Sequence, residues 1–407
     1  MPTYALMRKI GEAAERARGA GRGLVLTPSR RIARVAPPGE RVVAMTFEDG
    51  PTKLPAPPGG AGLTEQLLSV LKEFGARGTF AVVGSTAENY PDTPGKPGSR
   101  YALGKKYDHY AAFGLDDMAG ALACPELIRK IDREGHELAN HTYRHIMYGK
   151  SRAYAARAAL GGLNDAARDL KRLHDLIYSL TKYEMRFARP PHGIDKMADG
   201  HTSFDAFEAM GYHYLASGLS TGERPPRRGY EESAEAMARP LRDALEAEPT
   251  SLAGRIISQK DVCDTTGRSP AVSALRLRLE LLERYGYRVI TASELVERSP
   301  FEDVRPAHDC FEAARELDRA GFTIGFRNNR FYPERTMTKS ELGAVFTLPG
   351  KPRPSAVTVD KNDAATPRMI SARADEVFEK TKGQPRSAGR GDAAVWLYEL
   401  AVLNGLC

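Results

Sequence analysis

Two short stretches carry side chains whose types and spacing suit hydrolytic chemistry. Glu48 and Asp49 are adjacent acids within Thr46-Phe47-Glu48-Asp49-Gly50-Pro51, and His141 and His145 stand four residues apart in His141-Thr142-Tyr143-Arg144-His145. On a helix or a tight turn that spacing can bring both imidazoles to one divalent metal. Alone, such a pair is in most sequences two surface or core histidines. The acids change the balance, because two neighbouring carboxylates at a strand end are costly to bury unless a cation or an arginine compensates them. Together the two stretches point to a divalent-metal hydrolase site.

The elements around them must supply a rigid frame. Val42-Val43-Ala44-Met45-Thr46-Phe47 is a short apolar run, read as a buried strand that stops at Glu48-Asp49. Leu63, Leu67, Leu68 and Leu71 make a helical face, and Thr79-Phe80-Ala81-Val82-Val83 is the next strand. Strand–helix–strand is the signature of parallel α/β architecture. Residues 91–123, rich in Pro, Gly, Tyr and Lys, read as an inserted loop. A helix follows from Pro125 to about Glu134, then a short strand ending at the histidine pair, then a long helix over 151–181. Further strands are expected at 184–188, 212–216, 254–258 and 287–290, with a helix at 269–285. Such repeated units suggest a barrel-like α/β domain whose site lies at the carboxyl ends of its strands. Ahead of it, 3–18 reads as a helix and 24–36 as a hairpin around Thr27-Pro28-Ser29.

Three segments, in order, resemble the polysaccharide deacetylase family of NodB-homology carbohydrate esterases: TFEDGP at 46–51, GHELANHTYRH at 135–145 and FARPPHG at 187–193. The resemblance covers about residues 41–298 and implies a deformed parallel (β/α) barrel holding a zinc-type ion. By position, Asp49, His141 and His145 look like the metal ligands. Two imidazoles and one carboxylate leave room for water and substrate. Zinc suits that set best, with cobalt, nickel or manganese as alternatives. Glu48 stands where the family has its catalytic-base aspartate, and Arg189 where an arginine orients that base. The backbone N–H of His192, where tyrosine is usual, would help hold the oxyanion. Thr142 reads as a brace of the metal loop or a simple turn residue. His136, His174 and His213 read as structural.

The later motifs depart from the family. Leu219-Ser220-Thr221-Gly222-Glu223-Arg224 puts Glu223 on an aspartate that tunes the general acid and Arg224 on a tryptophan of the acyl pocket. Ile256-Ile257-Ser258-Gln259-Lys260-Asp261 puts Lys260 on the general-acid histidine. Either Glu223 and Lys260 replace the usual Asp–His pair, or the acid is lost and turnover is weak. A buried lysine can have a lowered pKa, whereas an adjacent glutamate raises it.

Beyond Ser299-Pro300 the composition shifts. Residues 301–347 resemble an S-layer homology module: Phe301, Asp303 and Val304 open it, Gly321, Gly325, Phe331 and Pro333 mark its turn, and Met337, Thr338, Lys339 and Glu341 close it. A second, degenerate copy runs from about 354 to 404. Such modules are small, helical and bind cell-wall polymers, so these would dock on the wall or pack against the barrel. The expected organisation is an extension at 1–40, the barrel at 41–298 and the two modules at 299–407.

Composition narrows the rest. Of 407 residues 42% are hydrophobic, enough for a real core, and the net charge of +7 is spread rather than bunched beside aromatics. That argues against a nucleic-acid footprint. Cys124, Cys263, Cys310 and Cys407 have neither metal-finger nor redox spacing. No segment is long and apolar enough to span a bilayer, and the first residues lack a signal-peptide core. The resemblance implies release of acetate from an N-acetylated amino-sugar glycan, such as peptidoglycan, at a cell surface. The alternatives are a metal-holding barrel that binds wall or carbohydrate with weakened turnover, and a deacylase of a small non-sugar amide.

Overall fold

A computed structural model of the protein describes residues 27–85, 118–150, 159–221, 229–261, 269–335, 390–392, 394, 395 and 398. The helix expected at 3–18, most of the 91–123 insert, Glu223, Arg224, Cys263, Cys407 and nearly all of the second module lie outside the described residues. The chain divides into two compact units, Ile32–Leu295 and Val296–Cys407 with Met1–Arg31.

The first unit is built on a parallel sheet curled into a half-barrel with helices around it. Its strands are β1 (Arg31–Ile32), β2 (Val42–Glu48), β3 (Thr79–Val82), β4 (Glu137–Asn140), β5 (Phe187–Ala188), β6 (His213–Leu215), β7 (Leu219–Ser220), β8 (Ile256–Lys260) and β9 (Arg288–Ile290). They lie in the order β1-β6-β5-β4-β3-β2-β8-β7, with β9 beside β2, and the pairings among β2 to β9 are parallel. β2 is buried from Val42 to Phe47 on both faces, which is why it reads as a continuous apolar run rather than an alternating one. Phe47 and Phe80 stack at 4.7 Å between ring centres and tie β2 to β3.

Helices α1 (Leu63–Glu73), α2 (Pro125–Arg133), α3 (Leu163–Thr181), α4 (Ser203–Met210), α5 (Tyr230–Ala247), α6 (Ala271–Arg284) and α7 (Ala292–Arg298) follow in chain order. α1 buries Leu63, Leu67, Leu68, Val70 and Leu71, one apolar stripe at helical spacing. Each such side chain contributes roughly 1.5–3 kcal/mol on burial.

Two expectations are corrected. The long helix starts at Leu163, not 151, because Gly161-Gly162 interrupts the chain and Asp199 accepts a hydrogen bond from Leu163 N at 2.8 Å, capping the helix there. The described part of 24–36 forms no hairpin with itself. Instead Ala216 N donates to Ile32 O (2.9 Å), Ile256 N to Ala33 O (3.0 Å) and Val35 N to Gly254 O (2.8 Å). Residues 32–35 therefore fill the gap between β6 and β8, satisfying backbone groups that an open edge would leave unpaired.

In the second unit, Phe301, Val304, Phe311, Ala314, Leu317, Phe322, Ile324 and Phe331 form a separate core around α8 (Phe311–Arg319). Arg30 is buried in this unit, paired with Asp318 at 2.8 Å and lying over the Phe301 ring at 4.4 Å. Asp303 accepts the backbone N–H groups of Phe331 (2.8 Å) and Tyr332 (2.9 Å), so the opening acid fixes the turn.

Candidate active site

Strand register brings the chemistry-bearing residues to one end of the sheet. Glu48 closes β2 and is the register partner of Lys260, which closes β8. Asn140, the last residue of β4, pairs with Ala188 of β5, so His141 and Arg189 leave the sheet side by side. Asp49 follows Glu48 directly. Hence four strand ends supply the site, as the carboxyl-end rule for α/β barrels anticipates.

Asp49, His141 and His145 are all buried, and one ligand atom from each lies within 4.8 Å of the others. His141 Nε2 and His145 Nε2 stand 3.0 and 3.1 Å from the same oxygen, Asp49 Oδ1. The far nitrogen of His141, Nδ1, is 2.9 Å from the carbonyl oxygen of Arg189. A carbonyl only accepts, so Nδ1 carries a proton, and Nε2 is the ring atom that faces Asp49 and could ligate an ion. Burial holds His145 below the ordinary histidine range despite Asp49 beside it, so its imidazole is neutral. Burial alone would raise the Asp49 carboxyl, but Lys260 and the two histidines outweigh it and hold it well below the usual range. Two imidazoles and a carboxylate, converging and buried, fit a divalent ion of the zinc type.

Around this group sit Glu48, Arg189, His192 and Lys260. Arg189 donates from Nη1 to Glu48 Oε2 (3.2 Å), from Nη2 to Thr46 Oγ1 (2.9 Å) and from Nε to Leu215 O (2.9 Å). Its guanidinium is thus fixed on three sides. Burial raises the Glu48 carboxyl, while Lys260 and Arg189 pull it down further than burial lifts it, so Glu48 is ionised. Lys260 Nζ contacts Asp49 Oδ2 and lies 3.8 Å from Glu48 Oε1. His192 stands in a short 3₁₀ turn, Pro191–Gly193, and its ring centre is 5.2 Å from that of His145. Burial first, and then His145 and Lys260 beside it, push the His192 imidazole well below its ordinary range. Four residues here have left-handed backbone: Asp49 (φ 79°), Thr142 (φ 70°), His145 (φ 52°) and His192 (φ 57°). Each costs on the order of 1–3 kcal/mol outside glycine, and such strain concentrates where a site is held in one geometry.

Asp261, next to Lys260, accepts from Thr64 Oγ1 at 2.7 Å, and its own N–H donates to Glu48 O at 2.8 Å. Its carboxylate lies so close to Gly50 that a side chain there would strike it. The described end of the insert packs alongside: Lys53 N donates to Met118 O (2.9 Å) and Ala121 N to Val83 O (2.8 Å).

Three other described histidines, His136, His174 and His213, lie in packing and hydrogen-bond contacts away from this group. Gly78 N donates to His136 Nδ1 at 3.0 Å, and burial pulls that imidazole down to about 4. His174 Nδ1 pairs with Tyr212 OH at 2.7 Å, and His213 packs on Phe187. Cys124 and Cys310 are buried free thiols, and burial raises the Cys124 thiol to about 12 and the Cys310 thiol to about 11. Sequence reasoning did not find Asn140, Asp169 or Asp261 as parts of this region.

The fold and site define a parallel α/β half-barrel with an Asp-His-His group at the carboxyl ends of its strands. Residues 36–215 match the family model described as Polysaccharide deacetylase, which supports a domain of that kind in this chain. The peptidoglycan-N-acetylmuramic acid deacetylase PdaC of Bacillus subtilis is 28% identical over 156 residues, 38% of this chain and 22% of that protein. A peptidoglycan-N-acetylglucosamine deacetylase of Bacillus cereus is 24% identical over 271 residues, 67% of this chain and 95% of that protein. The chain thus spans 22% of the first relative and nearly all of the second. The chitin deacetylase structure from Colletotrichum lindemuthianum, 21% identical, covers 67% of this chain and 92% of its own, with a TM-score of 0.44 too low to carry an inference.

Proposed function

We propose that the Ile32–Leu295 unit is a metal-dependent deacetylase that removes the acetyl group from an N-acetylated amino-sugar glycan, peptidoglycan or a related polymer, at a cell surface. The observation that carries this reading is the buried convergence of Asp49, His141 and His145 with an ionised Glu48 beside them. Two of the proteins named above, both peptidoglycan deacetylases of Bacillus, support the substrate class.

Asp49, His141 and His145 hold the ion, zinc first and cobalt, nickel or manganese as alternatives. Bound there, a divalent ion supplies Lewis acidity toward an acyl carbonyl and the attacking water. Glu48 takes the proton of that water, and Arg189 holds its carboxylate in line. The N–H of His192 donates to the oxygen where negative charge develops. Lys260, at the site's edge, hands a proton to the leaving amine. Glu223 is assigned to tune it, although it lies outside the described residues. The C-terminal region acts as S-layer homology-like modules that dock on a cell-wall polymer. Among the described residues no helix is long and apolar enough to cross a membrane.

A second reading is favoured by one contact. Lys260 Nζ engages Asp49 Oδ2, a carboxylate needed for the metal, so the ammonium is committed to the metal side of the site. That suits a barrel that keeps an ion and binds glycan with weakened turnover. One assay separates the two. Metal-loaded protein is incubated with N-acetylglucosamine oligomers and with peptidoglycan fragments, and free acetate is measured. Acetate release abolished by a chelator and restored by zinc is the expected result. Tight zinc binding without acetate from any glycan overturns the first reading and leaves the second.

A further inference from the structure

We propose that Asp169 is a positioning residue for the metal site, its buried carboxylate clamping the turn between His141 and His145 so that its removal weakens metal binding without touching a ligand. The inference rests on the reading of Asp49, His141 and His145 as metal ligands.

The turn needs a clamp. Thr142 and His145 both have positive φ, and neither is glycine, so the turn persists only where its surroundings over-determine it. From the β3 side, Tyr143 O accepts from Ser85 N at 2.7 Å. That leaves the N–H groups of Tyr143 and Arg144, which face α3. Asp169 Oδ1 accepts both, at 2.6 and 3.4 Å, and Oδ2 accepts Arg144 Nε at 2.5 Å. One carboxylate therefore fixes two consecutive peptide groups and the side chain of the second.

Neighbouring residues of α3 reinforce the grip. Asn140 accepts Thr142 N at Oδ1 (2.9 Å) and donates from Nδ2 to Leu170 O (2.8 Å), so the residue just before His141 is tied to the same helix turn. The Arg172 guanidinium lies over the Tyr143 ring at 3.8 Å. Residues 169, 170 and 172 thus hold 140, 143 and 144, which bracket His141 and lead directly into His145. Asp169 is 3% exposed, and a buried carboxylate is retained only when its partners satisfy it; here Arg144 supplies the opposite charge. The outer partner of Arg144, Asp165, is different: it takes Nη2 at 3.0 Å with a side chain 31% exposed.

Groups that orient ligands from outside typically carry 10- to 100-fold in metal affinity. The test titrates zinc alone into the metal-free full chain by calorimetry, with thermal unfolding of the same samples measured in parallel. Asp169→Ala is expected to weaken zinc binding by about 10- to 100-fold. Asp169→Asn, which keeps an oxygen for Tyr143 N–H, is expected to lose less. Asp165→Ala should change Kd by less than about threefold, the scale of an exposed ion pair. If the alanine variant does not fold, the asparagine variant decides. Wild-type zinc affinity in the Asp169 variants that fold overturns the clamp, even if their unfolding temperature drops, because that outcome marks a role in stability alone. Absence of zinc binding in the unmutated chain overturns the metal reading itself, and is seen before any substitution is compared.

Discussion

The two sides of the candidate site are built differently. On the β4–β5 side, His141 and His145 sit in a turn held by Asp169, Asn140 and Ser85, with the Arg189 carbonyl setting the protonated nitrogen of His141. This side falls within residues 36–215, the span that matches the deacetylase family model. On the β7–β8 side the span has ended, and Lys260 stands where the family resemblance leads one to expect histidine. Its ammonium reaches back to Asp49 and Glu48. The contrast teaches that binding an ion and delivering a proton are separable tasks. The first asks for converging ligand atoms held rigid, and the ends of β2 and β4 bring them together. The second asks for a group that gives up a proton to the leaving amine, and the Lys260 ammonium is here engaged with two carboxylates.

Glu48 breaks the comparison most sharply, because it belongs to both sides, bonded to Arg189 on one and facing Lys260 on the other. Glu48→Gln keeps the shape and the hydrogen-bonding oxygen but cannot take a proton. With the metal site intact, kcat for acetate release should fall by about 10²- to 10⁴-fold while zinc affinity changes little. Parallel calorimetry and acetate assays check both halves. Loss of zinc binding together with activity would place Glu48 among the ligands instead.

Much of the Asp-His-His grouping was legible in the sequence because its signals are local. An apolar run ending in Glu48-Asp49, and two histidines at a fixed spacing, need no knowledge of distant residues. Glu48, Asp49, His141, His145, Arg189, His192 and Lys260 do come together in space, whereas Glu223 lies outside the described residues. What was not legible is long-range. Asp169 meets Tyr143 only because α3 folds back on the turn, and nothing near Asp169 in the chain marks it. Asp261 is likewise brought to Thr64 by the pairing of β2 with β8. Helices α4 and α5 did carry signals: Thr202 with Asp205 forms a capping box, and Ala234, Met237, Ala238, Leu241 and Leu245 repeat at helical spacing. Pro240 within α5 reads as a helix breaker, yet tertiary packing overrides it. The closure by residues 32–35 was hidden for the same reason as Asp169, since its partners lie in β6 and β8.

Lys260→Met sharpens the comparison from the other side. Methionine matches the length of the lysine stem and removes the charge. If Lys260 hands a proton to the leaving amine, kcat should fall by about 10- to 100-fold, less than for the Glu48 substitution because water can substitute in part. The same change removes a cation that contacts Asp49, so zinc should bind the variant more tightly. Acetate assays and calorimetry on one preparation read both effects. Tighter zinc with unchanged turnover would assign Lys260 to the metal side alone and return the proton donor to another group.

The smallest effect on the site is expected from His136, a histidine beneath it that the chemistry does not use. Burial holds its imidazole at about 4 against an ordinary value of 6.5, and Gly78 N–H donates to its Nδ1, which must therefore be unprotonated. Because the folded value lies below the unfolded one, the unfolded chain binds the extra proton between pH 6.5 and 4. Stability is thus fully present above pH 6.5, falls as the pH drops through that window, and levels off below about 4. The loss from this one group is on the order of 3 kcal/mol. His136→Phe, a ring of similar size beside Phe80, removes the titration and should flatten the difference in urea stability between neutral and acidic pH by about that amount. Zinc affinity and acetate release at neutral pH should stay near wild type. An unchanged acid slope would mean that other buried groups carry it, while a lost metal site would mean that the floor of the barrel and its rim are coupled more tightly than their separate hydrogen bonds imply.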